Sequence, residues 1–239
     1  MTGPLHEQSV LVVGRAGGIA HAVAVAARDA GARVIAAGRH RQRLADLYAG
    51  EPDIAAEAVD LTDEGSIAAL ASRLGSLDHV VSTASARARG RLGDLAGDAV
   101  RLSFDTKVIG PLLLAKHLAP RMRQDGSFTL FSGVAASKIT VGTLAVAITN
   151  GAAEVLARSL ALELAPLRVN AVSPGVIDTG AWDALGDQAK AQYFADIGAR
   201  NPARRIGTPH DVANAVLFAM TSTFLTGATL PIDGGEPLT

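Results

Sequence analysis

The sequence predicts an α/β fold, a single domain built as a three-layer sandwich with a mostly or entirely parallel sheet at its centre. Three observations predict it. Short β-branched apolar runs alternate with helix-like segments from one end of the chain to the other. Glycine or polar turn residues bound the runs, and no linker long enough to separate a pair of domains interrupts the 239 residues. Strands reading as near-continuous apolar runs between helices belong to sheets covered on both faces.

The elements follow in order. Ser9–Gly14 (SVLVVG) is the first strand, and the Ala-rich stretch Ile19–Ala30 is the helix after it. Ala32–Gly38 is the second strand, followed by polar helical sequence through Tyr48. Asp53–Asp60 supplies a more ambiguous third strand before a helix over Glu64–Leu74. Asp78–Ala84 is the fourth strand, Ala99–Met122 one long helix, and Ser127–Ser132 the fifth strand. A second long helix covers Thr143–Leu164, then strand Leu167–Ser173. Helices over Asp183–Ile197 and Pro209–Met220 precede a last strand, Ala228–Asp233. Ser85–Asp98 and the lid region around 175–207 hold most of the irregular sequence and are the mobile-loop candidates.

Composition narrows the function. Apolar residues make up 49% of the chain, enough for one large core. Lys plus Arg (22) nearly balances Asp plus Glu (23), so no overall positive field favours nucleic acid or an anionic membrane. Cysteine is absent, which excludes disulfides, thiolate nucleophiles and Cys-based metal sites, and the six histidines form no metal-ligand spacing. The start carries no apolar signal stretch and no run of about 18 uninterrupted apolar residues follows, so the expectation is a cytoplasmic protein.

The chemistry begins at VLVVGRAGGIAHAV, which sets Gly14, Arg15, Gly17, Gly18 and Ile19 between the first strand and helix. Glycines there permit a tight turn and leave room for a phosphate beside the exposed amides of a helix start. About 20 positions on, directly after the second strand, stands Arg39. A carboxylate at this place accepts bonds from an unmodified adenosine ribose, whereas a guanidinium suits a ribose 2′-phosphate. His40, Arg41 and Arg43 add positive character. The expectation is therefore NADP(H) in preference to NAD(H), against the plainer alternative of a solvated basic helix start. Asp60 faces the adenine ring or caps the next turn; both uses stay open.

Taken together, these features resemble the classical short-chain dehydrogenase/reductase family. VVGRAGGIA resembles its glycine-rich turn, with Ala20 in place of the last glycine. RVNAVSPGVIDTG and RIGTPHDVANAVLFAMTSTFLTGATLPIDGG resemble its post-catalytic strand, nicotinamide-side loop and C-terminal region. The resemblance spans nearly the whole chain. It implies a seven-stranded Rossmann-type sheet, Leu61 and Ala84 among the cofactor-binding residues, and Pro174 and Gly175 beside the nicotinamide. It also implies Ile177 and Thr179 near the carboxamide, Asn170 supporting the strand before them, and a homodimer or homotetramer through the two long central helices.

The reaction centre departs from the family pattern. The family carries a serine after the fifth strand, then Tyr-x-x-x-Lys on the long helix. Here the tyrosine position is Val146, the lysine position Asn150 and the serine position Gly133, next to Ser132. The family's asparagine on the preceding long helix is Lys107, and its Asn-Ala-Gly turn reads Thr83-Ala84-Ser85. Val146 exchanges no proton, and Asn150 can bond a ribose but carries no charge. Lys107 for Asn and Asn150 for Lys read as an exchange that keeps one cation in the site. The candidate catalytic residues are Lys107, Ser132 and Asn150, the last also a cofactor contact. Ser85, Arg87 and Arg89 either admit an acidic substrate or form an exposed basic loop. His21, just after the glycine turn, reads as a local hydrogen-bonding residue rather than a general acid.

Three functions fit. One is an atypical reductase delivering hydride to a small carbonyl, enone or imine, because hydride transfer itself needs no protein nucleophile. The others are a catalytically inactive cofactor-binding sensor or assembly protein, and a non-redox lyase, isomerase or cyclase.

Overall fold

In a computed structural model that describes residues 3–239, the sequence folds around one parallel sheet. The order is β1 (Ser9–Val13), α1 (Gly18–Asp29), β2 (Arg33–Gly38), α2 (Arg41–Leu47), β3 (Ile54–Ala58), α3 (Glu64–Arg73) and β4 (Leu77–Ser82). Then come α4 (Gly97–Phe104), α5 (Gly110–Leu118), β5 (Met122–Phe131), α6 (Leu144–Glu163), β6 (Arg168–Pro174), α7 (Asp187–Arg200), α8 (Pro209–Thr221) and β7 (Thr229–Ile232). The seven strands lie in the order β3-β2-β1-β4-β5-β6-β7, all parallel. Strand order reverses between β1 and β4, and that switch point opens the crevice above the strand ends.

Alternate side chains of each strand feed two cores. Val10 and Val12 point to the layer of α1 and α8, packing with Val23, Ala27, Val216 and Met220. Leu11 and Val13 point to the layer of α3, α5 and α6, with Ile67, Leu70, Leu114 and Leu156. Both faces of the sheet are therefore dry, which is why the strands show no polar alternation. Asn170, fully buried in β6, donates to Leu225 O and accepts from Ala228 N, tying β6 to the segment before β7. By length and composition α6 could cross a membrane, yet it lies on the sheet with Ala153 and Ala157 fully buried.

Three expected elements differ. The long helix over 99–122 ends at Leu118, and residues 105–109 within it wind as a π turn. Pro111 explains the turn: it has no N–H for the carbonyl four residues back, that of Lys107, and its ring crowds that carbonyl. The Gly110 amide reaches Asp105 O, five residues back, instead. The fifth strand starts at Met122 rather than Ser127, because Met122 pairs with Leu77 and the polar residues 123–126 fall in a register shift before Ser127 pairs with His79. The lid region holds a short 3₁₀ segment over Gly180–Leu185 and then α7, which starts at Asp187 rather than Asp183. Gly186, at φ 76°, is the left-handed break between them.

Candidate active site

Two chambers lie along the carboxyl ends of the strands. The first, about 340 Å³, is walled by Gly14, Arg15, Arg39, Asp60, Leu61 and Ala84. The second, about 360 Å³, brings together Lys107, Ser132, Asn150 and Val146 with Ile19 and the loop residues Pro174, Gly175, Ile177 and Thr179. Ser85 borders both. Gly17 and Gly18 form the turn at the start of α1. The sequence-predicted site residues other than Gly17 and Gly18 line these two chambers.

Close approach dictates the first glycine. A Cβ on Gly14 would stand 2.2 Å from Thr83 Oγ1 and 2.8 Å from the Ala20 Cβ. Ala20 therefore packs tightly under the turn even though the family has glycine there. Gly17 has φ 125° with open space where a Cβ would point, and Gly18 has φ 57°. Gly17 therefore leaves the start of α1 uncovered by a side chain of its own, as a phosphate at a helix N-terminus requires. The Arg15 guanidinium reaches across the turn to Gly18 and Gly180, beside Thr179.

At the far end, Arg39, His40 and Arg43 line the first chamber, while Arg41 turns away and donates to Ala56 O at 3.0 Å. Asp60 performs the turn-capping role: the Thr62 amide and hydroxyl donate to its Oδ1 at 2.9 and 2.8 Å. The Thr62 amide bond, with the Arg39 charge nearby, holds the Asp60 carboxyl below its ordinary range. Its chain position still brings it to the wall of the chamber, so the two uses do not exclude each other.

The second chamber is organised by Lys107, whose helix turn carries it into the wall at 8% exposure. Its Nζ donates to Ser132 O at 2.9 Å and to Asn150 Oδ1. Asn150 Nδ2 donates to Gly133 O at 3.0 Å. The Lys107/Asn150 exchange is thus a direct contact between neighbouring helices. A Cβ on Gly133 would lie 3.0 Å from Asn150 Nδ2, so the glycine leaves space for the amide. Burial, assisted by the Arg87 charge, pushes the Lys107 ammonium down to about 7.

Ser132 is in the chamber wall, but its hydroxyl donates to Glu154 Oε1 at 2.6 Å. That proton is engaged away from the cleft, so the expected carbonyl-orienting role does not follow from this geometry. Asn150, 2% exposed, has both ends of its amide engaged with protein groups and acts as a brace for Lys107. His21 departs from its expected local hydrogen bond. Its ring stacks on Tyr48 with centroids 5.5 Å apart, and among the described residues its Nδ1 finds no partner.

Sequence reasoning missed several wall residues from the lid, among them Trp182, Tyr193 and Arg200. Trp182 Nε1 donates to Ile177 O at 2.9 Å, and its ring packs on Tyr193 at 5.0 Å. One signal was available. Trp182, Tyr193 and Phe194 place three of the chain's few aromatic residues in a single irregular segment.

Comparison with known proteins decides the family. Residues 14–236 match a family profile described as enoyl-(acyl carrier protein) reductase. The chain belongs to the short-chain dehydrogenase/reductase family. It is 34% identical to the short-chain dehydrogenase/reductase ATR9 of Stachybotrys chlorohalonatus, over 95% of this chain and 96% of that protein. A solved small-chain dehydrogenase in complex with NADPH is 30% identical with TM-score 0.86, covering 98% of this chain and all of the other. A reductase/Diels-Alderase, MalC, from Malbranchea aurantiaca is 28% identical with TM-score 0.90, over 100% and 99% of the two chains. Family and fold are those of an NAD(P)-dependent oxidoreductase, and the open glycine turn fits an NAD(P)H-binding site.

Proposed function

We propose that this short-chain dehydrogenase/reductase is an atypical NADP(H)-dependent reductase of a small carbonyl, enone or imine, with Lys107 as its acid. The observation that carries the proposal is a buried amine, with its pKa lowered to about 7, in the wall of an open 360 Å³ chamber. A sensor that had lost its chemistry would have no need to keep a cation desolvated there.

Gly14, Arg15, Gly17, Gly18 and Ile19 would hold the diphosphate, with Asp60, Leu61 and Ala84 at the adenine. Arg39, exposed and free of any carboxylate within salt-bridge reach among the described residues, would take a 2′-phosphate. Pro174, Gly175, Ile177 and Thr179 would flank the nicotinamide, and Asn150 would lie near its ribose while bracing Lys107. The nicotinamide, when bound, supplies the hydride. Lys107 keeps two of its three ammonium protons on Ser132 O and Asn150 Oδ1, which leaves one to direct at a substrate oxygen or nitrogen. Val146 and Phe131 limit water around that proton without competing for it. Apolar side chains left open on the long helices, Leu102, Ile109 and Leu112 on one and Ile148, Val155 and Leu162 on the other, support a homodimer or homotetramer.

The test is reduction of a panel of carbonyl, enone and imine compounds with NADPH deuterated at C4, read by mass spectrometry of the product. The reading expects deuterium in product and a kcat/KM that falls as pH rises through about 7, because the ammonium form is the donor. Lys107→Met should lose that pH dependence and at least tenfold in rate. Cofactor binding with no deuterated product from any compound would favour the inactive sensor.

A further inference from the structure

The cations of the second chamber are more numerous than its chemistry needs. Arg87 and Arg89, on the loop after β4, line it together with Arg200 of α7. Elsewhere among the described residues some basic side chains meet a carboxylate, as Arg73 meets Glu57, Lys116 meets Glu64 and Arg205 meets Asp211. Among the described residues, none of Arg87, Arg89, Lys107 or Arg200 has a carboxylate within salt-bridge distance. This concentration occurs in a chain whose net charge is −1, so it is a local arrangement and not a general excess.

The surroundings give the arginines a direction. The Arg89 guanidinium lies over the Trp182 ring at 5.6 Å, held by a lid residue that itself bonds the loop at Ile177. The Arg87 side chain is exposed at its surface, yet desolvation within the chamber, then the charges of Arg89 and Arg15, lower its guanidinium; among the described residues no carboxylate lies within salt-bridge distance of it. Arg15 is accounted for by a cofactor diphosphate. Arg87 and Arg89 lie farther along the wall, toward Trp182 and Tyr193, and Arg87 is also close enough to Lys107 to depress it. Among the described residues of this wall one side chain is acidic, Glu236, which lies beside Gly175, where a Cβ on residue 175 would stand 3.0 Å from its Oε2.

We infer that the substrate is an oxoanion, its carboxylate or phosphate held by Arg87 and Arg89 under Trp182 while its reducible group faces Lys107. Arginine suits this role because its planar fork meets both oxygens of a carboxylate or phosphate at once. The inference deepens the reductase reading and rests on it. It makes the loop after β4 the specificity element, and the lid aromatics the surface against which the substrate body packs.

The experiment keeps the two readings apart. NADPH and NADP⁺ are first titrated calorimetrically into the full chain; absence of binding would defeat the reductase reading by itself. The NADP⁺-saturated protein is then titrated with 4-acetylbenzoate, its methyl ester and 4-acetylphenyl phosphate. At least one anion should bind tenfold or more tightly than the neutral ester. The Arg87→Gln/Arg89→Gln double variant should erase that advantage by lowering anion affinity while NADP⁺ still binds, and Arg121→Gln at the opposite end of the sheet should keep it. A tighter carboxylate or a tighter phosphate identifies the head group. Equal binding of acid and ester, an advantage that survives in the double variant, or no binding of either anion at millimolar concentration overturns the inference.

Discussion

Replacing Lys107 with methionine tests the electrostatics of the site without reference to any substrate. Lys107 titrates near 10.5 in an unfolded chain and at about 7 in the folded one, because burial disfavours the ammonium. At pH 6 both states carry the proton, so the folded state bears the cost of a desolvated charge. As the pH rises through about 7 the folded state releases its proton while the unfolded state still holds it. More protons on the unfolded state mean that stability rises with pH. Each pH unit inside the window contributes about 1.4 kcal/mol, so wild type should gain roughly 2–3 kcal/mol on the methionine variant between pH 6 and 9. Methionine also removes the donor to Ser132 O and Asn150 Oδ1. That loss shifts the whole comparison by a constant and leaves its slope intact. Urea unfolding of both proteins at pH 6, 7, 8 and 9 measures the difference directly. A difference that stays flat, or that moves against wild type as pH rises, would refute a desolvated amine at this position.

Two further outcomes follow from the geometry. Gly14→Val forces a Cβ to within 2.2 Å of Thr83 Oγ1. It should cost about 1–3 kcal/mol in urea unfolding and weaken NADPH binding at least tenfold, and unaltered binding would show the turn to be loose. His79 is buried between Gln8 Oε1 and Ser127 Oγ and pushed down to about 4, chiefly by burial. Between pH 6.5 and 4.5 the unfolded state takes up a proton that the folded state refuses, so stability is lost as the pH is lowered. His79→Gln should remove about 2 kcal/mol of that acid sensitivity, measured as the change in unfolding free energy across the window.

Much of the fold was legible because both faces of the sheet are buried. Runs such as VLVV and VIAA declare themselves by β-branched content alone, and the turn glycines punctuate them. Legibility failed where burial failed. The first half of β5, MRQDG, is largely polar and exposed, so no apolar pattern marked it as strand. The π turn was readable in principle from Pro111, four residues after Lys107, but the helical periodicity on either side concealed it.

At the site, residues tied to backbone shape were found, since Gly14, Gly18 and Pro174 announce a turn through their own conformational limits. Side-chain direction was not encoded in the same way. That the Ser132 hydroxyl turns to Glu154 depends on α6 lying beside the end of β5, a contact 22 residues apart in sequence. The lid residues Trp182, Tyr193 and Arg200 were missed for a related reason: which face of α7 closes on the crevice depends on where the break at Gly186 aims the helix.

The central claim is that a phosphorylated nicotinamide dinucleotide lies across the glycine turn with its reacting end beside Lys107. Fluorescence titration of the purified, folded chain with NADPH and with NADH tests it most directly, in wild type and in Arg39→Ala. NADPH should bind saturably and at least tenfold tighter than NADH, with the preference gone in the variant. Binding of neither nucleotide by the folded protein would contradict the claim.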